Sequence, residues 1–229
     1  MYKLEKELTR IKNEFIIRLQ TQIDFIKYKN KADNAKEIFL KDSSIKDSNS
    51  LEIPYGGWAQ YCKHGSKIKY IIITQNPYKM PYNVEPDGYK LQKGDKYILW
   101  LAKLLSEDVK DRKTAKELYD TMHSNNKYYY NKVLIVNCVP HRSYSIQKDG
   151  EIELIPRCNL IIDDYIIWCI SNLYNIINII KPKEIFTIGV VSLSIMKFLG
   201  YKKCIELPHP ARSKSKIFQE KVLKYISKR

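Results

Sequence analysis

The sequence predicts an α/β fold, a parallel sheet covered by helices on both faces and preceded by an N-terminal helical segment, on three observations. From Ile68 onward, short apolar runs alternate with longer helical patterns. The runs are continuously apolar, as in strands buried on both faces, and do not show the alternation of half-exposed strands. Strands that alternate with helices in this way pair in parallel through right-handed crossovers, giving helix, sheet and helix layers.

Met1 to about Leu40 reads as helix, with Leu4, Leu8, Ile11, Phe15 and Leu19 at steps of three and four. Lys41 to Gly57, KDSSIKDSNSLEIPYGG, is polar and turn-rich and reads as a linker. Residues 1–57 are therefore expected to pack as an arm on a main domain of residues 58–229. Within that domain the four candidate strands are KIKYIIIT, NKVLIVN, KEIFTIG and KKCIEL. Helical patterns lie between them at Asp95 to Ser106, Arg112 to His123, Asn159 to Ile180 and Ser192 to Leu199, the last stopped by Gly200. The sequence shows no internal repeat.

At 229 residues and 44% hydrophobic content the chain has ample material for a packed core, which argues against a disordered or fibrous protein. The formal charge of +15 suits a polyanionic partner, nucleic acid first, although solubility alone is the plain alternative. The excess is steepest from Tyr201 to Arg229, with nine Lys or Arg against two Glu, around the best motif. No run approaches the roughly 18 apolar residues of a membrane span. The start MYKLEKELTR lacks the apolar core of a signal peptide, so an intracellular, non-membrane protein is expected. Cys62, Cys138, Cys158, Cys169 and Cys204 are odd in number and form no CxxC, so buried thiols are expected in preference to disulfides.

In a parallel sheet, ligands sit at the carboxyl ends of the strands. The first strand runs into Thr74-Gln75-Asn76-Pro77-Tyr78, where Asn-Pro imposes an extended residue and a turn. The second ends in Asn137, ahead of Val139-Pro140-His141-Arg142. The fourth runs into Leu207-Pro208-His209-Pro210-Ala211-Arg212-Ser213. A histidine between two prolines is held rigidly, which suits either a preorganised site or the loop's own structure.

In this order, Gln75-Asn76-Pro77-Tyr78, the run VLIVN ending at Asn137, and His209-Pro210-Ala211-Arg212 resemble the uracil-DNA glycosylase superfamily. The likeness spans about Ile68 to Phe218, and KPKEIFTIG resembles that family's third strand. It implies a four-stranded parallel sheet of order 2-1-3-4 in a three-layer α/β/α domain. It further implies hydrolysis of the bond between a pyrimidine base and deoxyribose, on a nucleotide rotated out of the duplex. Asn76 and His209 would be catalytic, Asn76 positioning water and His209 stabilising the negative charge of the departing base. Gln75, Tyr78 and Asn137 would line the base. Asn137 offers both a donor and an acceptor, matches uracil or a cytosine-type base equally well, and can instead cap a turn. Arg212 would enter the vacated stack, with Ser213, Lys214 and Lys216 on the DNA backbone, or these residues form a solvated basic loop.

The sequence departs from the family in places. Thr74 stands where the family has glycine, which tightens the turn. Glu85 and Asp87 in the long loop from Lys79 to Lys96 are second candidates for handling water. Some members hold an iron-sulfur cluster through four cysteines. Here only Cys62 precedes the first strand, and the possible zinc set of Cys62, His64, Cys138 and Cys158 carries little weight, so no cofactor or metal is expected. The leading reading is a monomeric, monofunctional glycosylase acting on uracil or another modified pyrimidine in DNA. The alternatives are an anti-phage enzyme excising an enlarged cytosine, and a catalytically inactive DNA-binding module. A nucleotide hydrolase is disfavoured because Gly189 stands alone in TIGVVS, without a glycine-rich phosphate loop.

Overall fold

The computed structural model describes residues 3, 4, 6, 7, 10, 11, 14, 67–75, 93–122, 132–138, 145–146, 152–153, 163–210 and 214–229. In chain order these form β1 (Tyr70–Thr74), α1 (Lys93–Ser106), α2 (Arg112–Thr121), β2 (Val133–Asn137), β3 (Ser145–Ile146), β4 (Ile152–Glu153), α3 (Asp163–Ile180), β5 (Glu184–Ile188), α4 (Val190–Phe198), β6 (Cys204–Leu207) and α5 (Ser215–Ile226). The main sheet has the order β2-β1-β5-β6, which is the expected 2-1-3-4 once the small β3-β4 hairpin is set aside.

All four strands run parallel. Tyr70 pairs with Glu184 and Ile185 with Cys204 in parallel registers. At one end of the β1 and β2 pair the Lys69 and Tyr70 amides both donate to the Lys132 carbonyl, and at the other the Thr74 hydroxyl donates to the Val136 carbonyl. The two strands therefore start together and finish together. Every residue of β1 and β2 is buried, as strands covered on both faces require.

The register sorts the side chains between the two faces. Tyr225 of α5 stacks edge-on against Phe186 at 5.2 Å, and its hydroxyl donates to the Glu184 carboxylate. Tyr70 and Ile72, paired with Glu184 and Phe186, thus share the α5 face. Ile71, Ile73, Ile185 and Thr187 take the other. The connection from β1 to β2 and the connection from β5 to β6 step in opposite directions along the sheet, so right-handed crossovers put α1 and α2 on one face and α4 on the other. The first of these layers is knitted by aromatic rings. Tyr97 meets Tyr119 at 5.1 Å and Phe218 at 5.8 Å, Trp100 meets Tyr119 at 5.2 Å, and the Trp100 indole donates to the Ala115 carbonyl at 2.8 Å.

The observed helices match the expected ones within a few residues, and α4 ends as Gly200 predicts. Gly200 has φ of 85°, its amide donates to the Lys197 carbonyl, and the Tyr201 amide reaches back to Met196 at 2.9 Å. Three features differ from the sequence reading. Helix α1 begins at Lys93, inside the segment expected to be loop. The hairpin is new, its two-residue strands being too short to show any periodicity. Helix α5 is also new: SKSK reads as a basic loop, yet Phe218, Val222 and Ile226 recur every four residues and all are buried.

The described residues form two compact units. One holds the sheet with α1, α2, α4 and α5. The other holds the described N-terminal residues, which are helical, the β3-β4 hairpin and α3. In this second unit Arg10 donates to Glu7 at 2.6 Å, to Glu14 at 2.8 Å and to Asn172 of α3 at 2.6 Å, and the Trp168 indole donates to Glu14 at 3.0 Å. Leu4 and Ile11 are buried, while Leu8, Phe15, Leu19 and the expected linker lie outside the described residues. No helix among the described residues is long and apolar enough to cross a membrane.

Candidate functional site

Each described site residue occupies the carboxyl end of a strand or the segment just after it. At the end of β1, Thr74 is buried, and its hydroxyl, 3.4 Å from the Val136 carbonyl, ties the ends of β1 and β2 together. Thr74 therefore has a local partner at the turn. Gln75 follows it, half-buried. At the end of β2, Asn137 is only 2% exposed, an unusual place for a carboxamide unless its donor and acceptor are both used.

The end of β6 is built most closely. Beyond Leu207 the chain runs Pro208-His209-Pro210, with Pro210 buried and His209 half-buried. The Gly189 amide donates to the Leu207 carbonyl at 2.8 Å, which carries the sheet's hydrogen bonding one step past the paired residues Ile188 and Leu207. Gly189 has φ of +83°, and a Cβ placed on it would stand 3.5 Å from the His209 Cβ. The turn at Gly189 thus passes beside the base of the histidine side chain, with room for no more than a methyl group between them. Ser192 fixes the same turn, its hydroxyl donating to the Ile188 carbonyl at 2.8 Å and the Gly189 carbonyl at 3.0 Å.

Burial lowers the His209 pKa below the ordinary histidine value, and the positive charge of Lys214 lowers it further. Protonating this ring would place a cation in a poorly solvated position near another cation, so the neutral imidazole is favoured at neutral pH. A neutral ring carries one N–H donor and one acceptor. It can stabilise an anion that forms beside it without giving up a proton.

Of the residues singled out from the sequence, Gln75, Asn137, His209, Lys214 and Lys216 are described. Lys214 caps α5 and Lys216 lies in its first turn, both exposed, so these two stand at a helix start and not in an extended loop. Asn76, Tyr78, Arg212, Ser213, Glu85 and Asp87 lie outside the described residues, as do Cys62, His64 and Cys158. Cys138 and Cys169 are buried, and burial raises the pKa of half-buried Cys204. Among the described residues no three metal-ligating side chains come together. In the sequence Gly189 stands alone, without a glycine-rich loop around it. Its signal is positional: a glycine between an apolar strand and a helix marks a turn that needs a positive φ.

No family model and no curated protein matches the chain. Among solved structures, it is similar to the crystal structure of wild-type SMUG2 from Pedobacter heparinus. The identity is 16%, over 71% of this chain and 74% of that one, with a TM-score of 0.41.

Proposed function

We propose that this chain is a monofunctional DNA glycosylase that removes uracil or another modified pyrimidine and leaves an abasic site. The observation that carries the proposal is His209, kept neutral and fenced by two prolines at the carboxyl end of β6, with the Gly189 turn beside its base. Asn137, buried at the carboxyl end of β2, supports it.

In this reading the target nucleotide leaves the duplex, and the bond from C1′ to the base breaks as the sugar becomes oxocarbenium-like. The bonding electrons depart with the base, and His209 donates a hydrogen bond to the base oxygen on which that charge collects. Water adds hydroxide to C1′, and its proton ends on the base. Asn76 positions that water, while Gln75, Tyr78 and Asn137 surround the base, Asn137 bonding its Watson-Crick edge. Lys214 and Lys216, with Arg212 and Ser213, hold phosphates. The enzyme acts on intracellular DNA as a monomer.

The test is base release from single-base uracil duplexes and from phage DNA with enlarged cytosines, read as strand breaks after alkali. His209→Ala is expected to lower the rate by about 10²–10³-fold, the usual cost of one oxyanion donor. An unchanged rate, or no release from any modified pyrimidine by the unaltered protein, overturns the proposal. Breaks confined to the phage DNA would make the enzyme one of defence.

A further inference from the structure

The opposite edge of the sheet, where the strands begin, carries a row of lysines that the proposed reaction does not use. The Lys69 amide donates to the Lys132 carbonyl at 2.7 Å, and the Lys183 amide donates to the Lys69 carbonyl at 2.7 Å. These three lysines therefore sit side by side at the starts of β2, β1 and β5. Lys202 and Lys203 immediately precede β6, whose first residue, Cys204, pairs with Ile185. Strands are about 4.8 Å apart, so the row crosses roughly 14 Å. Lys67, Lys69, Lys183, Lys202 and Lys203 are exposed.

Among the described residues, the acids beside this row are already engaged. Asp108 accepts from Lys132 at 2.7 Å and from Arg229 at 3.2 Å, and it feels Lys69 and Lys110 as well, which together hold its carboxyl below the usual range. Glu184 accepts from Tyr225, and Glu107 pairs with Lys103 at 2.6 Å. The exposed lysines are left as a field of one sign. The residues between them, Ile68, Tyr70 and Val133, are buried, so this edge offers charge without the apolar anchors that a protein partner needs.

We infer that the amino-terminal edge of the sheet is a second DNA-binding surface, which takes the phosphate backbone of a duplex without reading its sequence. A duplex carries one charge per 1.7 Å or so of its length with both strands counted, so a 14 Å stretch presents roughly four phosphates on each strand to the row. Lysines on flexible stems suit that contact, being point charges without the planar fork of arginine. The surface is separate from the carboxyl edge and does not depend on base removal.

The experiment measures binding of an unmodified 20-base-pair duplex by fluorescence anisotropy across a salt series, on the full chain. Each phosphate contact adds about 0.9 to the slope of log K against log salt, so a Lys69→Ala, Lys183→Ala, Lys202→Ala triple variant is expected to lower the slope by two to three. The same three positions changed to arginine should retain the slope, which separates lost charge from damaged folding. An unchanged slope in the alanine variant overturns the inference. So does loss of binding to phosphatidylserine vesicles with duplex binding intact, which would make this edge a membrane contact. Lys214→Ala with Lys216→Ala tests the carboxyl edge by itself: if only that pair lowers the slope, the inference fails and the proposed enzyme is untouched, and if only the triple does, the inference stands and Lys214 and Lys216 lose their role as phosphate contacts, while the enzyme is judged by base release alone.

Discussion

The proton on His209 is decided by two neighbours. Burial and Lys214 both push its pKa down, so the unfolded chain takes up a proton at a higher pH than the folded one does. This group's stabilising contribution is therefore full above the ordinary histidine value of about 6.5 and is lost as the pH falls through the lowered folded value. An NMR titration should place His209 below the unfolded value, and Lys214→Ala should move it upward. A wild-type midpoint at or above 6.5 would remove the neutral imidazole from the mechanism. Gly189 makes a second prediction at this scale. Because a Cβ there would meet His209 at an ordinary contact distance of 3.5 Å, Gly189→Ala costs mainly backbone strain, about 1–3 kcal/mol by denaturant unfolding, since φ of 83° with ψ of 173° is a conformation open essentially to glycine alone. A much larger loss would mean that space, and not conformation, is limiting. His209 and Asn137 were legible from the sequence because prolines and strand ends mark them. The role of Gly189 was not, since a glycine's value lies in what it lets approach, and His209 is twenty residues further along the chain.

Among the elements, the buried strands were the easiest to read, because continuous runs such as YIIIT and VLIVN leave no polar face to explain. Helix α5 escaped because lysines occupy three of its twelve positions and its opening SKSK suggests a loop, while its apolar face becomes meaningful only once a sheet and α1 exist for it to cover. The four-residue rhythm of Phe218, Val222 and Ile226 was the available clue. The N-terminal helical residues are tied to α3 by polar bonds as well as by burial. Arg10→Ala removes bonds to Glu7, Glu14 and Asn172, and with the Arg10 side chain 38% exposed the expected loss is about 1–2 kcal/mol by thermal or denaturant unfolding. Glu14, left without its cation, still accepts from Trp168, so a shift in tryptophan emission should accompany that loss. No change in stability would mean that solvent replaces these bonds at no cost.

The molecule as a whole carries +15, and that charge acts on the folded state even when no partner is bound. Self-repulsion is screened over about 10 Å at 0.1 M salt. Raising sodium chloride from about 20 to 200 mM is therefore expected to raise the melting temperature by a few degrees, in contrast to a protein held mainly by surface ion pairs. A falling melting temperature would show that attractive pairs such as Asp108 with Lys132 and Arg229 outweigh the repulsion.

The placement of β1 inside the sheet also bears on how the chain reaches its native state. Tyr70–Thr74 cannot complete its pairing until Glu184–Ile188 has been synthesised, more than a hundred residues later, and ring closure over that distance is slow. For that interval Ile71, Ile72 and Ile73 form an apolar, β-prone run with the edge that β5 will cover left open, which is what intermolecular strand pairing needs. A nascent chain stalled before residue 184 should therefore depend on chaperones and tend to aggregate, whereas the finished protein has that strand sealed at the centre of its sheet.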